Sequence, residues 1–290
     1  MTMTYQTLIS ADALARELDG AQPGSLLVLD CSFELTDVQA GRRAYDAGHI
    51  PGARYVHLED TLSAPKNGRN GRHPLPAPGA FVRALAALGA GDHTQVVAYD
   101  NAGGMYAARL WWMLRWIGHG TVAVLDGGLA AWKAAGLPLA GEAPPPPVAG
   151  TLSLRAPLAG TVSYETLCVN LDSGERLVLD ARAPDRFRGE NETMDPVGGH
   201  IPGACNRLFR DNLDASGSFK PAARLREEFL ALVDGRQPAE LVSQCGSGVT
   251  ACHNLLALEI AGLPGAVLYP GSWSEWCAQP GARIATGAAA

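Results

Sequence analysis

A chain of 290 residues, 47% hydrophobic and 18% charged, has a globular composition with enough apolar residues for one or two cores. A formal net charge of −6, with no lysine/arginine block, excludes nucleic acid and anionic membrane surfaces as partners. The start, MTMTYQTLIS, lacks the basic region and long apolar run of a signal peptide. The most apolar helical stretch, ARLWWMLRWIG, carries Arg109 and Arg115 and falls short of the ~20 residues a membrane span needs, so a cytoplasmic location is expected.

In chain order, SLLVLD (25–30) reads as a strand, PGAFVRALAALG (78–89) as a helix and TQVVAYD (94–100) as a second strand. GGMYAARLWWMLRWIG (103–118) places apolar residues at helical spacing and ends on glycine, and VAVLDGGLAAWKAAG (122–136) reads strand, turn, helix. This alternation predicts an α/β domain with a mainly parallel sheet and helices on both faces. Next comes LAGEAPPPPVAGTLSLRAPLAG (139–160), whose four consecutive prolines stiffen an extended spacer.

Beyond the spacer the pattern returns. RLVLDAR (176–182) matches LLVLDCS (26–32), and GHIPGACNRLFRD (199–211) matches GHIPGARYVHLED (48–60). LVSQCGSGV (241–249) matches VVAYDNAGG (96–104), and YPGSWSEW (269–276) matches LDGGLAAW (125–132). The offsets agree: 150 from Asp30 to Asp180, 151 from His49 to His200, 145 from Asp100 to Cys245 and 144 from Trp132 to Trp276. The chain is therefore expected to hold two copies of one domain, 1–141 and 161–290, joined by a linker at 142–160. Asp30 and Asp180 read as strand-end anchors, and Trp132 and Trp276 as packing residues.

Cys245 follows the strand candidate AELVSQ, and a helix begins near Val249 or Thr250. Gly246 and Gly248 allow close backbone approaches, so loop N–H groups can converge on one point at the positive end of the helix. A thiolate is stabilised there. The fingerprints for dinucleotides and for the phosphate loop of nucleotide hydrolases are absent. A cysteine phosphatase would place an arginine in this loop, whereas Ala251 and Cys252 follow Thr250; uncharged donors suit a smaller anion such as a persulfide. A cysteine hydrolase with a histidine base stays open as an alternative, although His253 falls within the helix and is expected to point away. In the first copy the equivalent position is Asp100, which predicts a catalytically silent domain. Six cysteines, at 31, 168, 205, 245, 252 and 277, show neither a C-x-x-C pair nor zinc spacing, so no metal and no disulfide framework are expected.

Over roughly residues 7 to 285 the chain resembles the two-domain rhodanese-like sulfurtransferases. The resemblance lies in the duplicated GHIPGA, the loop CGSGVTA in the second copy and the closing YPGSWSEW. The wording CGSGVT looks like the 3-mercaptopyruvate branch; thiosulfate-preferring members typically carry basic residues where Gly246 and Ser247 stand. The resemblance implies that Cys245 takes sulfane sulfur from a small anionic donor as a persulfide, with no cofactor. A thiol, cyanide or a reduced thioredoxin-like protein then accepts the sulfur. It implies a donor site at Arg186, in APDRFRG, and along Gly246, Gly248, Val249 and Thr250. The branch usually has a second arginine shortly before the second GHIPG; here the stretch is GENETMDPVGGHIPG, and Arg188 is the nearest substitute. A serine–histidine–aspartate relay would map to Ser247, His49 and Asp37, but His200 repeats His49, which equally suits a fold element. A sulfur-carrier module loaded by a protein partner is the second functional reading.

Overall fold

The computed structural model describes residues 4–288 and divides the chain between two units, neither of which is one continuous segment. The first comprises residues up to Ala64, Pro76–Leu158 and Ala215–Phe219; the second comprises Pro65–Leu75, Ala159–Asp214 and Lys220 onward.

In the first unit the strands are β1 (Leu8–Ile9), β2 (Leu26–Asp30), β3 (Arg54–Tyr55), β4 (Gln95–Tyr99) and β5 (Val122–Leu125). The helices are α1 (Ala11–Gly20), α2 (Ala40–Ala47), α3 (Pro78–Ala87), α4 (Met105–Trp116) and α5 (Gly128–Ala134). The strands pair in parallel in the order β1-β5-β4-β2-β3. Val28, Val97, Tyr99, Ala123 and Leu125 share one buried cluster with Leu14 of α1 and Trp132 of α5. The strand pleat turns Val96, Ala98, Val122 and Val124 to the opposite face, where α4 packs against β4 and β5. Helix α4 is buried over nearly its whole length, including Trp111 and Trp112, which is why its sequence is apolar all round.

The second unit repeats this plan with α6 (Tyr164–Ser173), β6 (Leu177–Asp180), α7 (Pro184–Arg188), β7 (Cys205–Asn206), α8 (Ala222–Val233), β8 (Leu241–Gln244), α9 (Thr250–Ile260), β9 (Val267–Leu268) and α10 (Ser272–Trp276). The order β7-β6-β8-β9 is again parallel throughout, and a single parallel bridge from Thr161 to Leu268 stands where β1 stood. Val178, Val242, Phe187, Tyr269, Trp273 and Trp276 share one buried cluster. Strands β6 and β8 run in register, with Asp180 beside Gln244, so the loops after both strands emerge at the same carboxyl end of the sheet.

The expected repeat therefore exists as three-dimensional structure. Both tryptophans at its end are core residues that tie down the following chain: Trp132 Nε1 donates to Pro138 O and Trp276 Nε1 to Arg283 O, each at 2.8 Å. The proline-rich stretch is extended, as expected, yet it is fastened to the first unit as far as Leu158. Gly150 N donates to Ala86 O at 2.8 Å and Leu152 N to Ala90 O at 3.1 Å. A Cβ at Gly150 would lie 2.0 Å from Ala90 O, so this close approach requires glycine. Among the described residues no helix is long and apolar enough to cross a membrane.

Candidate active site

Cys245 opens the turn between β8 and α9 and is only 2% exposed. Its Sγ accepts from Gly248 N at 3.1 Å and Ser247 N at 3.5 Å, so two turn N–H groups converge on the sulfur. Gly248 has φ 77°, a left-handed conformation that lets its N–H turn back to the thiol. Helix α10 holds the turn from the other side. Trp273 N donates to Cys245 O at 2.9 Å, Ser274 N to Gly246 O at 3.0 Å, and Cys245 N donates to Ser272 Oγ at 3.1 Å. The closing SWSEW motif thus clamps the Cys245 turn.

The first unit fills the same turn differently. Asp100 Oδ1 accepts from Ala102 N and Gly104 N, both at 2.8 Å, and Oδ2 accepts from Tyr106 N at 2.8 Å and Ala107 N at 2.9 Å. Its own carboxylate occupies the N–H cradle at the start of α4, leaving those donors satisfied and no thiol at the position.

Two side chains from the short segment Pro65–Leu75 complete the second unit's site. His73 Nδ1 lies 2.8 Å from Ser247 Oγ, and both residues are buried. Arg72 N donates to Ser274 Oγ at 3.0 Å, and its guanidinium reaches the loop: a Cβ on Gly246 would meet Arg72 Nη2 at 2.6 Å. The same point is 3.7 and 3.8 Å from the terminal nitrogens of Arg186, so two guanidinium groups converge above Gly246.

Both groups are met by carboxylates from the stretch before the second GHIPG. Arg186 Nε donates to Glu192 Oε2 at 3.0 Å, and Arg186 Nη2 to Glu192 Oε1 at 2.9 Å and Asp195 Oδ2 at 3.3 Å. Asp195 Oδ1 accepts from Arg72 Nη1, so one carboxylate bridges the two arginines. Burial pushes the Glu192 carboxyl up, but Met194 N–H and the Arg186 guanidinium outweigh it and hold the group below the ordinary glutamate range.

A third guanidinium, Arg182, lies beneath them, 1% exposed at its side chain. It donates through Nη2 to Asp180 Oδ2 at 2.6 Å and Gly199 O at 2.7 Å, and its carbon sits 4.6 Å from the ring centre of Trp273. Its Nη1 is 3.7 Å from Glu192 Oε2, an ion pair rather than a hydrogen bond. Burial pulls this guanidinium down, but Asp180, Glu192 and Cys245 attract it and the net direction is upward.

Among the expected site residues, Cys245, Gly246, Ser247, Gly248, Val249 and Arg186 come together here, and Thr250 opens α9 directly behind the turn. Arg188 does not join them: it is paired with Glu190 at 2.7 Å on the surface. His49 belongs to the first unit, fully buried and stacked on Tyr45 at 3.9 Å, with Nδ1 on Tyr45 O at 2.8 Å. His200 repeats the arrangement on Phe187, 3.7 Å between ring centres and Nδ1 2.9 Å from Phe187 O. Each histidine also forms the same kind of backbone bridge, His49 to Ala140 and His200 to Ala285, which is a fold role. Asp37 pairs with Arg43 at the surface of the first unit. His253 points into the core, edge-on to Phe209 and 3.2 Å from Asn212 Nδ2.

The residues missed by the sequence reading are Arg72, His73, Arg182, Glu192 and Asp195. One sequence signal for the first two exists. The offset between the copies falls from 151 at the GHIPGA motif to 145 at the turn, so the first copy carries six more residues in the interval that contains Arg72 and His73.

Two parallel α/β units thus share one plan, the second with a thiol and the first with a carboxylate in the equivalent turn. The Rhodanese-like domain family matches residues 10–135 and 163–279, once for each unit. The chain is 49% identical to the probable 3-mercaptopyruvate sulfurtransferase of Pseudomonas aeruginosa, over 98% of this chain and 100% of that one. It is 37% identical to the thiosulfate sulfurtransferase of Mus musculus, over 98% and 96%. Its structure matches SseA from Escherichia coli, described as a 3-mercaptopyruvate sulfotransferase, with a TM-score of 0.78 and 30% identity over 93% of this chain and 99% of that one. The chain belongs to the rhodanese-like family of sulfurtransferases, which move sulfur from small donors to thiol or cyanide acceptors.

Proposed function

We propose that this chain transfers sulfur from 3-mercaptopyruvate through a persulfide on Cys245, with Arg186 binding the donor's carboxylate. The observation that carries this reading is the setting of Cys245 Sγ, against two turn N–H groups and beside a turn free of basic side chains, with guanidinium groups next to it. The thiolate attacks the donor's sulfur, the carbon–sulfur bond breaks, and its electrons pass to carbon as the enolate of pyruvate. Cys245 is left as the persulfide, and the enolate needs one proton to become pyruvate. In this proposal Ser247 delivers it and His73 replenishes Ser247, a role that their contact at 2.8 Å supports. In the second half-reaction an acceptor thiolate attacks the outer sulfur and Cys245 returns to the thiolate. A reduced thioredoxin-like dithiol in the cytoplasm is the proposed acceptor, in keeping with cysteines that form no disulfide among the described residues.

The N–H cradle favours the persulfide anion, because the same donors that meet Sγ can meet a charged outer sulfur. The first unit, with Asp100 in that cradle, is proposed as catalytically silent. Intact mass after incubation with mercaptopyruvate tests the proposal: one added sulfur on the wild type and none on Cys245→Ser is expected. Sulfur gained by Cys245→Ser, or none on the wild type, would sink it.

A further inference from the structure

We propose that Asp195 is a resident counter-anion of a two-arginine donor grip, Arg72 with Arg186, and that it selects donors bearing a single negative charge. The inference rests on the reading of this site as the donor site.

Three observations lead there. Asp195 has a side chain only 4% exposed, and its two oxygens are divided between Arg72 and Arg186. The two guanidinium groups so bridged are those that converge on Gly246, next to the thiol. A carboxylate in that position has the chemistry and the placement of a donor's carboxylate. Asp195 therefore stands in for the ligand.

The charges beside the turn are balanced. Three guanidinium groups, on Arg72, Arg182 and Arg186, face three carboxylates, on Asp180, Glu192 and Asp195. Asp180 is fixed by a forked bond to Arg182, and Glu192 by Arg186 and by Met194 N and Asp195 N. Among the described residues, the Asp195 carboxylate is held by the side chains of Arg72 and Arg186, not by a backbone donor. A donor carboxylate that displaces it exchanges one negative charge for another, and the balance is kept. A dianion such as thiosulfate brings one charge more than it removes, beside a cysteine that must itself be anionic. In a partly buried site an uncompensated charge a few ångströms away is costly. Arg72 thereby supplies, from the segment Pro65–Leu75, the second guanidinium that the stretch before GHIPG lacks.

Inorganic sulfate, a dianion that transfers no sulfur, is titrated calorimetrically into the full-length protein and into Asp195→Asn, with pyruvate as the monoanionic carboxylate. Sulfate is expected to bind the variant about tenfold tighter or more, while pyruvate affinity changes by less than about threefold. The ratio of kcat/KM for thiosulfate to that for mercaptopyruvate is expected to rise about tenfold. Equal changes for both anions, or no change, overturn the proposal. Asp195→Ser removes the same charge and is read in the same way should the asparagine variant not fold. Arg72→Gln is expected to weaken pyruvate binding about tenfold; unaltered binding overturns the grip. A wild type that takes up no sulfur would remove the proposed function, whereas the sulfate and pyruvate titrations involve no chemistry and still decide the role of Asp195.

Discussion

His73 Nδ1 sits 2.8 Å from Ser247 Oγ, although 174 positions of chain separate them. The pair is out of bulk water, His73 at 2% exposure and Ser247 at 7%, so a proton passed between them is not lost to solvent. His73→Asn is expected to lower kcat with mercaptopyruvate about 100- to 1,000-fold. Loading from thiosulfate should fall far less, because sulfite leaves as a stable anion and needs no proton. Single-turnover persulfide formation with each donor measures the difference, and an equal loss with both would remove the relay.

Gly246→Ala tests the convergence of the two arginines. The new methyl would meet Arg72 Nη2 at 2.6 Å, and this is the mobile end of a long side chain. The fold should survive, with a change in stability below about 1 kcal/mol. KM for mercaptopyruvate should rise about tenfold as the guanidinium is pushed aside, with kcat nearly kept. Steady-state kinetics beside a urea unfolding curve give both quantities.

Asp100→Ala leaves four backbone N–H groups at the start of α4 without their acceptor. A loss of about 3 kcal/mol is expected, since each bond runs to a charged group and the dipole of α4 loses its anion. Chemical denaturation followed by tryptophan fluorescence reads it through Trp111 and Trp112 of the same helix. A variant as stable as the wild type would show that the cradle has no need of an occupant.

Glu228 provides a pH dependence. Burial pushes its carboxyl up, but Arg207 and Lys220 outweigh burial and bring it from 4.5 down to about 2. Its oxygens lie 2.6 Å from Arg207 Nη2, 3.0 Å from Lys220 Nζ and 2.8 Å from Arg224 Nε. A carboxylate lowered in the folded state stabilises it above the unfolded value, and that stability is lost as pH falls through the folded value. Glu228→Gln should therefore be less stable by about 2 kcal/mol at pH 7, and the gap should close between pH 4.5 and about 2. Urea midpoints across a pH series for both proteins check it.

The fold was legible because local pattern and duplication agreed. Each β-rich run ended at a turn residue, and four landmarks recurred at nearly one offset. The Cys245 turn was legible for the same reason, as the place where the copies differ in kind. Arg72 and His73 were hidden because NGRNGRHPLP has neither helical nor strand period, and its partners lie in the other half of the chain. The duplicated motif drew attention to His49, whose ring is committed to Tyr45 just as that of His200 is to Phe187. Arg188 and Arg186 lie two residues apart on one short helix and therefore project from different sides, which periodicity states but a motif match does not weigh. Glu192 and Asp195 looked like a departure from an expected arginine, and their pairing with Arg186 could not be read until the chain was folded.

The trade of segments between the units, Pro65–Leu75 for the second and Ala215–Phe219 for the first, has a lasting consequence. A chain of two like copies, each a unit of its own, could be divided between them. Here the N-terminal half of the chain carries the histidine that touches Ser247 and the arginine that reaches over Gly246. Cutting at the prolines would leave a thiol without either. The N-terminal half owns part of the second unit, so a cut in the linker divides a unit instead of separating two.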